Sequence, residues 1–253
     1  MKAIILAAGK GTRLDGAAVK PKCLVEVGGM SLLQRQIDSL RDASVKRIVV
    51  VVGFGADSIR EECDSDIEFV ENNQYAETSS LYSLWLARKH LTDGFVVLNS
   101  DVLFHPQLLT NLLESSHADE LLLSDTQTTP LGDEEMKVKL EEDLVIDISK
   151  SMDPRDADGE NVGIVKFSAP GARALGGYMD ALVASGGKKD WAPRAFLEFA
   201  LHHPLHALST GDLPWIEIDF PEDYQRAVTE IYPRMASEEF FTQGRKAAKL
   251  ITE

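Results

Sequence analysis

The segment Arg47-Ile-Val-Val-Val-Val52 carries no polar side chain after its first residue. A strand with one face in water alternates apolar and polar residues, so a run that is apolar at every position must be covered on both faces. Helices packed on either side of a mostly parallel sheet are the usual cover. The surrounding sequence supplies them. Short β-rich runs at Lys2–Ala7, Ile67–Asn72, Phe95–Asn99 and Glu120–Ser124 alternate with stretches of helical periodicity. Ser31-Leu-Leu-Gln34 reads as a capping box, opening a helix with Leu32, Leu33, Gln36, Ile37 and Leu40 at helical spacing. Further helices are expected at Ala56–Cys63, Ser80–His90 and Pro106–Ser115.

From about Met136 the pattern changes to shorter alternating runs, Met136–Leu140, Leu144–Ser149 and Gly163–Ser168, separated by acidic turns such as Glu141-Glu-Asp143. These predict an antiparallel addition to the main sheet. Helices follow at Ala169–Ser185, where Pro170 suits the first turn, and at Pro193–His202. A last strand, Trp215–Asp219, precedes a helix over Pro221–Tyr232, and Glu238–Thr252 reads as a terminal helix packing on the domain or on a partner, as in a homodimer. No repeat, low-complexity tract or linker divides the chain, so residues 1–253 are expected to form one domain.

Lys and Arg number 26 against 41 Asp and Glu, a net charge of −15. Nucleic acid and anionic membrane surfaces are therefore poor partners, because both require a basic face. The apolar run Ala3–Ala8 is short for a signal peptide and leads into Gly-Lys-Gly-Thr-Arg, and no stretch approaches the roughly 20 apolar residues of a membrane span. Cys23 and Cys63 lack any paired spacing, which disfavours a thiolate metal site or a disulfide framework and fits a reducing cytoplasm.

Against that acidic background, the cations Lys10, Arg13, Lys20 and Lys22 cluster beside Gly9 and Gly11, directly after the first strand. Glycines there let main-chain amides approach a phosphate chain, and the cations can neutralise it. The dinucleotide fingerprint is broken, because Leu14 stands where its third glycine belongs. The nucleoside-triphosphatase string Gly-x-x-x-x-Gly-Lys-Ser/Thr does not occur. A plain tight turn with solvated cations is the remaining alternative.

The string Leu6-Ala-Ala-Gly-Lys-Gly-Thr-Arg-Leu14 with Pro21-Lys22 resembles the signature of the GT-A-like nucleotidyltransferases. The resemblance implies a three-layer α/β/α fold with a mostly parallel, Rossmann-like mixed sheet and a small antiparallel addition. It also implies transfer of a nucleoside monophosphate from a triphosphate to a phosphorylated acceptor. Residues 1–130 would then form a nucleotide-binding half, 131–235 an acceptor-binding half and 236–253 a C-terminal helix. Carried over by position, Leu6, Ala7, Ala8, Gly9, Lys10, Gly11, Thr12 and Arg13 would hold the triphosphate, and Lys22 would contact the α-phosphate or the acceptor phosphate.

Two carboxylates complete the expected site. Phe95-Val-Val-Leu-Asn-Ser-Asp101 reads as a buried strand ending in a carboxylate, and open α/β sheets bind ligands beyond the carboxyl ends of their strands. Asp219 lies on Trp215-Ile-Glu-Ile-Asp219, where alternation puts Glu217 on the same side. Either aspartate is also a fair turn former or helix cap. The resemblance makes Asp101 and Asp219 ligands of Mg²⁺, a hard cation suited to carboxylates and phosphate oxygens. A phosphate or phosphonate acceptor is already anionic at neutral pH, so no protein base is required and Arg13, Lys22 and the aspartates would align and neutralise. The six histidines lack a metal-ligand spacing with a third ligand and are expected to pack in the core or lie at the surface.

Within the family, Asn72–Leu84, Met136-Lys-Val138 with Ser149-Lys150, and Gly159–Phe167 look most like the small phospho-alcohol and phosphonate cytidylyltransferases. That likeness implies CTP as donor and a small phosphate or phosphonate as acceptor. It nominates Ser79 and Ser80 for the nucleotide, or alternatively as helix caps. Lys137, Lys150, Glu160, Asp190, Trp191 and Glu217 are the acceptor-side candidates, with Asp190-Trp191 resembling an acidic-aromatic pair for a cationic headgroup. Rival readings are a sugar-1-phosphate nucleotidyltransferase, a GT-A glycosyltransferase, disfavoured because Ser100-Asp101-Val102-Leu103 offers one Asp where Asp-x-Asp is expected, and a non-catalytic nucleotide-binding module.

Overall fold

The computed structural model describes residues 1–11, 20–125 and 131–237. Thr12, Arg13 and the expected helix Glu238–Thr252 lie outside the described residues. Strands β1 (Lys2–Ala7), β2 (Glu26–Val27), β3 (Met30–Ser31), β4 (Ile48–Val52), β5 (Glu68–Glu71), β6 (Phe95–Asn99), β7 (Val102–Phe104) and β8 (Glu120–Asp125) are interleaved with helices α1 (Leu32–Asp42), α2 (Ala56–Glu62), α3 (Ser80–Leu86) and α4 (Pro106–Glu114). Then come β9 (Lys137–Glu141), β10 (Leu144–Ser149), β11 (Gly159–Phe167), α5 (Ala169–Ala184), α6 (Pro193–Ala200), β12 (His206–Ser209), β13 (Trp215–Glu217) and α7 (Pro221–Arg226). Helix α7 runs on into a π-turn at Ala227–Ile231.

Among the described residues the main sheet has nine strands in the order β5-β4-β1-β6-β11-β8-β12-β10-β9. β5, β4, β1 and β6 run parallel, and the remainder is mixed. The two-residue period of the strands divides the core. Ile4, Val49, Val51 and Val97 face one way, with Leu81 of α3, Leu175 of α5 and Phe199 of α6. Ile5, Val50, Val52 and Leu98 face the other, with Ile37 of α1, Ile59 of α2 and Leu109 of α4. The three-layer α/β/α arrangement thus follows from two buried sheet faces, each covered by amphipathic helices.

Local details depart from expectation. Ser31 Oγ accepts from the Gln34 amide at 3.2 Å, but the Gln34 side chain donates to Asp38 at 2.7 Å, so the capping box is half made. Ser31 is itself the end of β3, paired with Glu26. The expected helix Ser80–His90 stops at Leu86 and finishes as a 3₁₀ turn, Arg88–His90. β11 begins four residues earlier than its alternation suggests, at Gly159 instead of Gly163, because all nine of its residues are buried. It pairs first with β9 and then with β6, and changes partner at Gly163. Gly163 has φ +82°, and a Cβ there would come within 2.6 Å of the Asn99 side chain.

The run Trp215–Asp219 does not join the main sheet. Its strand β13 pairs antiparallel with β7, Ile216 opposite Leu103 and Glu217 opposite Val102. A small separate core of Val27, Leu32, Leu103, Ile216, Ile218 and Ile231 holds this ribbon against α7. The turn between β6 and β7 is held from beneath by buried Gln36, whose Nε2 donates to the carbonyl oxygens of Asn99 and Val102, both at 2.9 Å. No helix among the described residues is long and apolar enough to cross a membrane.

Replacing Gln36 with Leu keeps the volume but leaves two buried carbonyls without a donor, and is expected to cost about 2–4 kcal/mol of stability. Urea unfolding measures this; a loss below about 1 kcal/mol would mean that other contacts hold the β6–β7 turn.

Candidate active site

The β7–β13 ribbon brings together carboxylates far apart in the chain. Ile218 donates its amide to the Asp101 carbonyl at 3.0 Å, which extends the ribbon to the turn bearing Asp101 and sets Glu217 and Asp219 beside it. Ile216 and Ile218 point into the small core, so Glu217 and Asp219 share the opposite side, as the alternation requires. The helix cap that Asp219 might have supplied comes from Asp223, whose Oδ2 accepts from the amides of Asp219 at 3.0 Å and Phe220 at 2.8 Å. Carboxylate oxygens of Asp101, Glu217 and Asp219 lie within 4.8 Å of one another.

Lys22 sits among them. Pro21 leads into a 3₁₀ turn, Lys22–Leu24, that aims the ammonium inward. Its Nζ is 2.8 Å from Asp101 Oδ2 and donates to Asp219 Oδ1. Burial alone would lower the Lys22 pKa, but the two aspartates outweigh it and raise the value above the ordinary lysine range. Burial, with the nearby charges of Asp101 and Asp219, pushes Glu217 up to about 8. Even with Glu217 mostly protonated near neutral pH, one ammonium cannot balance both Asp101 and Asp219. Among the described residues Asp101 Oδ1 is also buried without a hydrogen-bond partner. A hard divalent cation fits both the unmet charge and the oxygen-only donor set.

The carboxylates border a cavity of about 440 Å³. Leu6, Ala7, Ala8, Gly9, Lys10 and Gly11 form one wall. Gly11 has φ +60°, and a Cβ there would lie 2.7 Å from Lys22 Cβ, so any larger residue would be strained and press on Lys22. Ser79, Ser80 and Trp191 also line the cavity. Ser80 Oγ accepts from the Ala192 amide at 2.8 Å and ties that turn to α3; Ser79 makes no side-chain cap bond. Trp191 is half exposed, with Lys150 Nζ 5.0 Å from its ring centre. That ring face, expected to receive a cationic headgroup, already carries a protein cation.

Three acceptor-side candidates do not line the cavity. Lys137 is fully buried and clamps a loop, donating to the carbonyls of Gly132, Glu135 and Asp133 at 3.0, 3.2 and 3.3 Å. Glu160 is buried on β11, where desolvation and the charge of Glu135 push it up to about 7 despite Lys137 and Lys150 nearby. Asp190 contributes its carbonyl to the Leu81 amide at 3.2 Å.

Several lining residues escape motif reading, among them Tyr75, Asn99 and Asn161. Asn72 is buried, donates to Thr78 and Ser83 at 3.0 Å and accepts from the Gln74 amide at 2.9 Å, so it shapes the loop before α3. Its burial between a strand and a polar loop leaves no periodic signal. Cys23 also lines the cavity, but burial pushes its thiol up to about 12, which makes it a poor nucleophile.

The model of the MobA-like NTP transferase domain matches residues 3–214. A choline-phosphate cytidylyltransferase of Streptococcus pneumoniae is 33% identical over 46% of this chain and 52% of its own length. A bifunctional IPC transferase and DIPP synthase of Rubrobacter xylanophilus is 30% identical over 87% of this chain and 50% of its own, and a CMP-5'-(3-aminopropyl)phosphonate synthase of Streptomyces rubellomurinus 27% over 90% and 38%. The chain thus spans about half, or less, of the length of these curated relatives. The solved inositol-1-phosphate CTP transferase of T. maritima superposes with a TM-score of 0.75 at 22% identity, covering 93% of this chain and 94% of its own. The S. pneumoniae CTP:phosphocholine cytidylyltransferase structure gives 0.71 at 24%, covering 89% and 96%. These two likenesses establish a shared Rossmann-like α/β fold. The family match, over most of the sequence, means that the chain belongs to the MobA-like NTP transferases.

Glu160 offers a pH test of the buried strand β11. With its folded pKa raised from 4.5 to about 7, its contribution to stability is full below about pH 4.5 and is lost as pH rises through 7. Glu160→Gln should remove this loss and gain on the order of 2 kcal/mol at pH 8 relative to the parent. Unfolding curves at pH 5 and pH 8 measure it, and an unchanged pH slope in the variant would show that Glu160 ionises as if in water.

Proposed function

We propose that this MobA-like NTP transferase is a Mg²⁺-dependent cytidylyltransferase that moves CMP from CTP to the phosphate or phosphonate of a small acceptor, releasing pyrophosphate. The convergence of Asp101, Glu217 and Asp219 on Lys22, at the edge of a cavity walled by Leu6–Gly11, carries this reading. CTP as donor is supported by relatives named as cytidylyltransferase and CMP-phosphonate synthase.

An acceptor oxygen attacks the α-phosphorus, a new P–O bond forms, and the bond to the bridging oxygen of pyrophosphate breaks. The acceptor oxygen already carries charge, so catalysis rests on alignment and neutralisation. The main chain at Gly9 and Gly11 admits phosphate oxygens closely, and Lys10 and Arg13 add positive charge. Lys22 exchanges part of its contact with Asp101 and Asp219 for the α-phosphate as charge develops there. Asp101 and Asp219, flanked by Glu217, would hold Mg²⁺, which supplies charge neutralisation on the phosphates. Ser79 and Ser80 face the nucleoside. On the acceptor side, Lys150 over Trp191 favours an anionic or hydroxylated acceptor over a bulky quaternary ammonium.

Pyrophosphate release with CTP, ATP, GTP and UTP against phosphocholine, 2-aminoethylphosphonate, 2-hydroxyethylphosphonate and hexose 1-phosphates tests the reading. Turnover is expected with CTP and a small phosphate or phosphonate, and abolished by chelator; a preference for UTP with a hexose phosphate would replace it by the sugar-nucleotide reaction. Lys22→Ala and Asp101→Ala should each lower kcat by about 10²-fold or more in steady-state assays. Near-normal turnover in either variant removes that residue from the proposed machinery.

A further inference from the structure

The histidines without a metal-binding spacing in sequence acquire one in space. His117 follows α4, Asp143 lies in the β9–β10 turn, and His206 opens β12. Asp143 Oδ2 is 2.9 Å from His206 Nδ1 and 3.7 Å from His117 Nε2, and all three ligand atoms lie within 4.8 Å of one another. Adjacent ligands on a tetrahedral zinc ion are about 3.3 Å apart, a value between the two measured edges. The imidazoles stack with centroids 3.7 Å apart and planes 23° from parallel, so a shared ion requires a small rotation of the rings to turn their in-plane nitrogens toward it.

The backbone beneath these side chains is tied by main-chain bonds at the ligand positions. The His206 amide donates to the Asp119 carbonyl at 3.1 Å, and the Ala207 amide to the Asp143 carbonyl at 2.8 Å. Leu144 pairs with His206 across β10 and β12, and His206 with Glu120 across β12 and β8. His117 and His206 are half-buried and Asp143 is exposed, which leaves entry for an ion and room for water.

We propose that His117, Asp143 and His206 form a second, transition-metal site, selective for Zn²⁺ or Co²⁺ over Mg²⁺ and completed by water. Two imidazoles and one carboxylate suit borderline cations, whereas the oxygen-only set of Asp101, Glu217 and Asp219 suits a hard one. His206 and its partner Glu120 lie at the amino-terminal ends of β12 and β8, whereas the cavity lies at the carboxyl end of β6, which runs parallel to β8. The two sites therefore occupy opposite ends of the sheet. A cation there ties the end of α4, the β9–β10 turn and β12 into one unit, which assigns the site a structural role in the half that carries Lys150 and Glu160.

Chelator-treated protein spanning residues 1–253, titrated with Co²⁺ in excess Mg²⁺, should develop the visible absorption of imidazole-bound Co²⁺ and lose it to added Zn²⁺. His117→Gln, His206→Gln and Asp143→Asn should each weaken Co²⁺ at least tenfold, whereas Asp101→Asn should leave it unchanged. Zn²⁺ should raise Tm in the parent and in Asp101→Asn but not in the histidine variants, whose folding is checked by circular dichroism. A parent without the visible band, a band that survives in both histidine variants, or one that disappears in Asp101→Asn would overturn the proposal. If a histidine variant fails to fold, Asp143→Asn and the Mg²⁺ competition still decide it.

Discussion

Three carboxylates crowded around a single ammonium set the character of this molecule. Asp101, Glu217 and Asp219 would repel one another if left to themselves, and the upward shift of Glu217 to about 8 records that repulsion together with its burial. The arrangement persists because main-chain hydrogen bonds enforce it. Glu217 sits opposite Val102, Ile218 is bonded to Asp101, and an isoleucine-rich core lies beneath the ribbon. The electrostatic cost of assembling the cluster is thus offset by backbone pairing and apolar burial elsewhere. A polyphosphate and its cation are the kind of ligand that relieves what remains.

The supports around this cluster are single polar side chains, Gln36 and Asn72 buried and Asp223 half-buried. Gln36 steadies the turn below Asp101, Asp223 fixes the backbone at Asp219, and Asn72 shapes the loop before α3. Each supplies a hydrogen-bond partner to a main-chain group of a turn or loop that ordinary strand or helix pairing leaves unmet. Lys137 does the same for the loop at 132–135, which explains why a lysine beside the cavity does not enter it. Acidic composition and a cation-lined cavity coexist because a few lysines, Lys10, Lys22 and Lys150, come to it from separate parts of the chain.

Legibility in the sequence followed periodicity. The strands β1, β4 and β6 and the helices α1 and α4 were readable because long runs of Ile, Val and Leu repeat at 2 or 3.6 residues. The short strands Val102–Phe104 and His206–Ser209 went unread, being too brief to show a period. The partner switch of β11 was invisible for another reason: Gly163 and the bulge break the alternation on which strand reading depends. In the site, the glycine loop, Lys22 and the two aspartates were legible as a motif. Asp190, Glu160 and Lys137 were nominated by likeness, but they line no part of the cavity, because a local match carries no information about which way a buried side chain turns.

The amino-acid sequence by itself determined the layered α/β architecture, the glycine- and cation-rich segment after the first strand and the identity of the carboxylates, since each is written in neighbouring residues. Only the tertiary structure decided which distant groups meet. Asp101 joins Asp219 through the β7–β13 ribbon, and His117, Asp143 and His206 converge at the other end of the sheet. The physical reason is common to both cases. Strand pairing between segments far apart in the chain depends on register and on the packing of other elements, and neither leaves a periodic trace in the residues that end up in contact.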